Sequence, residues 1–213
     1  MKHATSIALH EYWRSCHAAT GVSAGQIRAA ELAPLLPSLF LIEIDRGTGS
    51  RFRYCGANLA RRYGRDLAGE DFLDLWAVDD RKVLQRHLQV VSMRSAGLVA
   101  GIVAETIGAG FTAFELVLLP LSGESGAAGA IGSMERVGGH EEMNRIRARL
   151  VSQSLRSVRF LPAPTPPGSP FSLLGFIPPA ATPRNPRRSG HLSLVIGGKE
   201  RSRQPATLPL TET

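Results

Sequence analysis

The sequence predicts an α+β fold built on an antiparallel sheet. Two strand-like runs flank the turn DRGTGS at 45–50, and three more follow at 98–107, 111–121 and 127–137. The connectors between the last three runs are short enough for hairpins. Between the two groups lie short stretches of helical periodicity. Strands followed by small helices and then by more strands are typical of an antiparallel sheet with helices on one face. We therefore predict a five-stranded sheet.

Helical spacing marks an N-terminal helix and a second, central helix. The N-terminal helix, residues 7–18, carries an apolar stripe formed by Ile7, Leu9, Tyr12, Trp13 and Cys16. The central helix, residues 81–94, presents Leu84, Leu88 and Val91 on one side. A short helical turn through 29–36 stops at Pro37, because proline lacks the amide hydrogen that a helix needs.

The run at 111–121 is apolar on both sides. Phe114, Leu116 and Leu118 point one way, and Phe111, Ala113, Val117 and Leu119 point the other way, where only Glu115 is polar. A sheet with two apolar faces needs two covers. We expect the small helices to cover one face, and the N-terminal helix or a second copy of the chain to cover the other.

The stretch YGRDLAGEDFLDLWAVDDR, residues 63–81, holds six carboxylates. An EF-hand would need a regular Asp/Asn spacing with a central Gly and a distal Glu, and this pattern is absent. Asp79 is predicted to cap the 81–94 helix, with Val78 and Val83 as a hydrophobic staple and Asp80 in the first turn. Glu70, Asp71 and Asp74 are expected on the solvated face of a short helical piece. No metal site is predicted.

Composition divides the 213 residues into an ordered part and a tail. Eleven of the fourteen prolines and more than half of the net charge of +7 lie after residue 160. We predict an N-terminal helix at 1–25, a folded domain at 26–140, a helical or irregular connector at 141–160 and a basic, disordered tail at 161–213. Two apolar patches interrupt the tail at 171–177 and 191–196, and either could be a docking motif.

Location and catalysis are both constrained by what the sequence lacks. The two cysteines belong to no disulfide or zinc pattern, no apolar run is long enough to cross a membrane, and the first fifteen residues make a poor signal peptide. The cytoplasm is the expected location. No nucleophile elbow, P-loop, metalloprotease or dinucleotide-binding motif is present, so we predict that the chain is not an enzyme.

The 63–81 stretch resembles the central segment of PAS domains, where a G-x-x-x-x-x-G-x-x-φ-x-D-L run leads into a helix opened by acidic residues and Arg. The matching positions are Gly64, Gly69, Phe72, Asp74, Leu75, Trp76, Asp79, Asp80 and Arg81. With the Tyr-Trp helix, LLPSLFLIEID, RFRYCG and ELVLLPL, the chain is also similar to small stand-alone bacterial PAS proteins. The resemblance covers roughly residues 7–140 and implies a sensory or regulatory module, often dimeric through its N-terminal helix.

PAS pockets hold haem, flavin, small acids or nothing, so the resemblance leaves the cofactor unknown. His87 lies on the helix that supplies the haem ligand in some relatives, although a packing or surface role is favoured. The reactive-cysteine motif of light-sensing relatives is absent. The arginines around the second strand could hold an anionic ligand through paired hydrogen bonds, although a solvated charged face is favoured. Besides Arg51, these candidates are Arg53, Arg61, Arg62 and Arg65.

The sequence thus favours a non-catalytic PAS protein that binds a regulatory partner and, as an open question, a small ligand in its pocket. Self-association would use the helix of residues 7–16. The alternative is a protein that binds nucleic acid or another anionic surface through its basic tail, with the PAS-like part as a dimeriser. Nucleic acid is the less favoured partner, because a basic tail is weaker grounds for it than a basic folded face.

Overall fold

The computed structural model describes residues 1–16, 21–45, 49–93, 96–107, 110–123, 127–138 and 149–162. Three α-helices lie in these ranges: α1 (Ala4–Ser15), α2 (Ala57–Tyr63) and α3 (Val78–Ser92). Single 3₁₀ turns form at Ala24–Gln26, Leu36–Ser38 and Phe72–Leu75. None of the described helices is both long and apolar enough to cross a membrane. The predicted tail, with its apolar patches at 171–177 and 191–196, lies outside the described residues from residue 163 onward.

Six strands form one antiparallel sheet in the order β2-β1-β5-β4-β3-β6. The strands are β1 (Leu39–Asp45), β2 (Gly49–Cys55), β3 (Ala96–Thr106), β4 (Gly110–Ser122), β5 (Ala128–Arg136) and β6 (Leu150–Pro162). The hairpin β1–β2 confirms the first predicted strand pair, and β3 to β5 confirm the next three strands. The α+β class and the antiparallel sheet are as predicted.

The prediction of five strands was wrong, because β6 forms where we expected a helical or irregular connector. Leu155, Val158 and Phe160 face the sheet's inner side. Their spacing is irregular because the β3–β6 pairing shifts register between Gly101 and Ile102, which leaves an extra residue in β6. The bulge hides the two-residue alternation by which a strand is recognised in a sequence.

The inner face of the sheet carries the larger core. It is covered by α2, α3 and the Phe72–Leu75 turn, and its buried side chains include Phe40, Phe52 and Leu116. The outer face carries a second core, in which Leu9 and Trp13 of α1 pack on Val117 and Leu119. The two apolar faces of β4 and the N-terminal helix as cover are therefore confirmed. Phe111 and Ala113 are the exceptions, because both side chains are exposed, Phe111 to 74%.

Residues 69–80, which we call the strap, form hydrogen bonds with both edge strands of the sheet. At the β2 edge, the Gly69 amide donates to the Phe52 carbonyl at 2.8 Å, and the Phe52 amide donates to the Glu70 carbonyl at 3.0 Å. At the β6 edge, the Ala77 amide donates to the Gln153 carbonyl at 2.9 Å. Free strand edges invite pairing with other chains, and the strap covers a part of each outer strand.

The strap also corrects the predicted start of α3. Trp76 and Ala77 are held extended against β6, and the helix starts at Val78 with Ala77 as its N-cap residue, without a side-chain cap. Asp79 is therefore not the cap but a residue of the first turn. The predicted staple is also wrong, because Val78 is 76% exposed. Both errors arose because β6 was not predicted. Pairing with β6 holds Trp76 and Ala77 extended and so determines where α3 begins.

Candidate functional site

The inner face is filled by packed aromatic rings. The ring centroids of Phe40, Phe52, Phe72 and Trp76 form a chain of contacts at 5.5–5.9 Å. Beside them, the Tyr63 hydroxyl donates to Gln153 Oε1 at 2.9 Å, and burial raises the pKa of this tyrosine. Edge-to-face and offset ring pairs stabilise such a cluster by roughly 0.5–1.5 kcal/mol each beyond their buried area. A ligand of this face therefore competes with the protein's own side chains.

The carboxylates of the strap make structural contacts within the protein. Glu70 accepts two hydrogen bonds from Arg65 at 2.8 Å each, and this contact lowers the pKa of Glu70. Asp71 accepts from the Leu73 amide at 2.9 Å and so caps the 3₁₀ turn. Asp74 pairs with Arg81 at 2.9 Å. Within the described ranges, no group of three or more His, Cys, Asp or Glu side chains is placed to hold a metal ion.

Asp80 has a partner that the sequence did not indicate. Its Oδ2 accepts a hydrogen bond from the Leu155 amide of β6 at 2.9 Å. The contact joins the first turn of α3 to the edge strand of the sheet. Two hydrogen bonds therefore attach the strap to β6, one from the side chain of Asp80 and one from the backbone of Ala77.

The candidate arginines do not share one pocket. Arg53 forms an ion pair with Glu43 on the neighbouring strand. Arg61 donates to Asn58 Oδ1 at 3.1 Å, one turn earlier on α2, and Arg65 is bound to Glu70. Binding an anion at these positions would require exchanging existing partners.

Arg62 makes the most extensive contacts of the arginine set. It donates to the Met134 carbonyl and pairs with Glu135 Oε2 at 2.6 Å. Its guanidinium also lies 5.6 Å from the centre of the Phe114 ring. Arg62 can reach these groups because β5 extends past Ser133, the last β5 residue opposite β1. Glu135 is 5% exposed, so this ion pair fixes α2 to the open side of β5.

A family model described as "PAS domain" matches residues 1–135. The match spans more than half of the chain and includes α1, the strap and β1 to β4. The chain belongs to the PAS family. This confirms the family resemblance of the 63–81 stretch, and PAS domains are sensory and regulatory modules. β6 lies beyond the matched residues.

Solved structures provide a second comparison. The chain is similar to the PAS domain of an HTR-like protein from Haloarcula marismortui, with 14% sequence identity and a TM-score of 0.40. The alignment covers 51% of this chain and 91% of that one. No curated protein matches the chain.

His87 of this PAS domain lies on α3, where its ring meets Phe160 of β6 edge-to-face at 5.5 Å. Burial lowers its pKa, so the imidazole is neutral at pH 7. A neutral imidazole could serve as a metal or haem ligand, but the same contact also fits a packing role. Its assignment to a ligand site stays a prediction.

The outer face of the PAS sheet holds the features that sequence reasoning missed. Glu115 is 6% exposed and accepts hydrogen bonds from the backbone amides of Lys2 and His3 at 2.7 and 3.1 Å. Although burial acts to raise it, these two bonds bring the pKa of Glu115 below its ordinary value. The one polar side chain that the sequence placed on this face therefore anchors the start of α1. The position of Glu115 as a single polar residue among apolar neighbours was the feature of the sequence that could have revealed this role.

A second outer-face feature is an apolar groove of about 410 Å³ between residues 24–36 and the sheet. Its floor includes Leu39, Leu41 and Ile131. Sequence reasoning predicted a short helical turn through 29–36 but not the groove between this segment and the sheet, because local spacing does not show where an irregular segment packs. The groove has a volume typical of ligand sites, which span roughly 300–1,000 Å³.

Proposed function

We propose that this PAS protein is a non-catalytic regulatory module that acts in the cytoplasm by binding a partner protein. The observation that carries the proposal is an exposed apolar patch at one end of the sheet, which we call the tip patch. It consists of Ile107, Phe111 and Val151, which are 63%, 74% and 56% exposed. Clustered apolar side chains at a surface are typical of protein interaction sites.

The strand register brings the tip patch together. Phe111 stands opposite Glu105 on β3, and Glu105 stands opposite Ser152 on β6, directly beside Val151. The Ile107 amide donates to the Arg149 carbonyl at 3.0 Å, which places Ile107 at the start of β6 as well. Phe111 of β4 and Val151 of β6 therefore lie on either side of the end of β3, and Ile107 directly follows that strand.

Self-association through the helix of residues 7–16 is a further part of the proposal. Leu9 and Trp13 are already buried against the sheet, so a second copy would contact the other side of α1. Ile7, which is 39% exposed, lies on that side. Light scattering of Ile7→Glu against the unchanged protein tests this, and equal masses at every concentration would count against the helix as an interface.

The proposed small ligand would bind at one of the candidate arginines, Arg53, Arg61, Arg62 or Arg65, or beside His87. Each arginine has a carboxylate, carbonyl or amide partner that an anion would replace. Native mass spectrometry of the purified chain, compared with its denatured mass, measures any bound molecule. Absorption spectra detect haem or flavin. If no added mass or chromophore is found in protein isolated from its own cells, the ligand part of the proposal is wrong.

The tip patch offers a matched control for testing partner binding. Met93 is exposed to the same degree as Phe111, at 74%, but it stands just before the start of β3, whereas the tip patch lies at the other end of that strand. A photo-crosslinking residue at position 111 should capture one discrete partner in cells, whereas the same residue at position 93 should not. With purified components, Phe111→Ser should weaken the complex at least tenfold and Met93→Ser should leave it unchanged.

Equal capture at both positions, or unchanged affinity of Phe111→Ser, would contradict the proposal. The alternative function, binding of nucleic acid or another polyanion, depends on residues 182–213, which lie outside the described part of the chain. Deleting them should not affect partner binding. If the deletion abolishes partner binding, and the affinity of the full chain for that partner falls steeply with salt, the tail-based alternative is favoured instead.

A further inference from the structure

The apolar groove on the outer face has a lining that defines the chemistry of its occupant. The lining side chains are Ala24, Ile27, Ala29, Leu32, Leu36, Leu39, Leu41, Tyr54, Leu121 and Ile131. Tyr54 carries the single polar group among them, and its hydroxyl already donates to the Leu36 carbonyl at 3.1 Å. No side chain of the lining is therefore free to orient a polar or charged ligand. The groove suits large apolar side chains, for which burial is favourable in proportion to area.

We propose that residues 171–177 of the same chain, FSLLGFI, occupy this groove. Five of the seven residues are large and apolar, namely Phe171, Leu173, Leu174, Phe176 and Ile177. This composition matches the lining. The proposal concerns a surface separate from the tip patch and does not depend on it.

The position where β6 ends supports this occupant. Leu161 packs against the outer core, one residue before the strand ends. The register places Leu161, Gly97, Leu119, Ile131 and Leu41 in one row across the sheet. Ile131 and Leu41 belong to the groove, so the chain leaves the sheet on the groove's face. Three strand spacings of about 4.8 Å separate Leu161 from Ile131, or roughly 14 Å.

The connection is long enough to reach the groove. Residues 163–170 include four prolines, which favour an extended polyproline conformation of about 3.1 Å per residue. From Leu161 to Leu174 such a chain spans roughly 40 Å. It must pass α1, which lies between the two points and is about 10–12 Å across. The available length therefore exceeds the direct distance by enough to go around the helix.

The second apolar patch of the tail, residues 191–196, provides the control. In the full chain, Leu174→Asp with Phe176→Asp should expose the groove, whereas Leu194→Asp with Ile196→Asp should not. Hydrogen exchange read by mass spectrometry over residues 24–41 should be at least tenfold faster in the first variant and unchanged in the second. Equal rates in the first variant and the unmodified chain would overturn the proposal, as would faster exchange in the second variant alone.

A disulfide test distinguishes the chain's own segment from that of a second copy. Ala29→Cys on the rim of the groove is combined with Ser172→Cys, in a chain where Cys16 and Cys55 are replaced by Ser. The proposal predicts rapid formation of a disulfide within monomers at dilute concentration. Disulfide-linked dimers would show that the segment of a second copy occupies the groove. If neither product forms, residues 171–177 do not occupy the groove. Both of these outcomes would refute the proposal.

Discussion

Replacing Asp80 by Ala tests how the strap is attached to β6. The substitution removes the acceptor of the Leu155 amide, a bond of 2.9 Å at a partly buried position. The matched control is Asp79→Ala, which removes the same charge from the same first turn of α3. Both variants lose the favourable interaction between a carboxylate and the helix dipole, worth about 0.3–1 kcal/mol. Only Asp80→Ala also leaves a strand amide without its charged partner.

The expected difference between the two variants follows from that bond. A hydrogen bond to a charged group contributes about 1.5–3 kcal/mol. Asp80→Ala should therefore lower the free energy of unfolding by about 2–4 kcal/mol, and Asp79→Ala by under about 1 kcal/mol. Urea titration followed by tryptophan fluorescence measures both, because Trp76 lies at the junction of strap and β6. Exchange of the Leu155 amide should be faster in Asp80→Ala alone.

The opposite result would restore the assignment made from the sequence. If Asp79 were the N-cap, its replacement by Ala would cost about 0.5–2 kcal/mol and Asp80→Ala would cost less. A larger loss for Asp79→Ala, or equal losses for both, would refute the described attachment of the strap.

Three further predictions concern the outer face and the strap's first residue. Because the pKa of Glu115 is lowered in the folded protein, its contribution to stability is present above the ordinary pKa of 4.5 and is lost as the pH falls through the folded pKa. In Glu115→Gln the melting temperature should therefore decrease less over this acidic range than in the unchanged protein. Trp13→Phe removes the 2.9 Å bond from the indole to the Pro120 carbonyl, so urea titration should show a loss of about 1–3 kcal/mol. Gly69 has φ +84°, so Gly69→Ala should lower the free energy of unfolding by about 1–2 kcal/mol, and Gly69→Asn, which tolerates this conformation, by less.

Local patterns in the sequence were sufficient for much of the fold. The alternation in β4 separated Leu116 from Val117 and so revealed two apolar faces, and both cores were found where it placed them. The helical spacing of Leu84, Leu88 and Val91 likewise identified the buried side of α3. These predictions succeeded because each depends on residues that are neighbours in one helix or strand.

Contacts between distant residues could not be inferred in this way. Arg62 and Glu135 form an ion pair across 73 positions, and nothing near either residue indicates the other. The same is true of Asp80 and Leu155. The candidate arginines looked like one cluster because they are close in sequence. In the structure each has its own partner, which a single sequence does not show.

The strap makes the first hairpin and the last described strand depend on each other. Its bonds to Phe52 join residues that are near in sequence, whereas the bond between Asp80 and Leu155 spans 75 positions. Contacts between residues far apart in sequence form more slowly than local ones. We therefore expect the strap to attach to β2 early and to β6 late in folding, and a nascent chain to keep the β3 side of its sheet open to aggregation until residues 150–162 have left the ribosome.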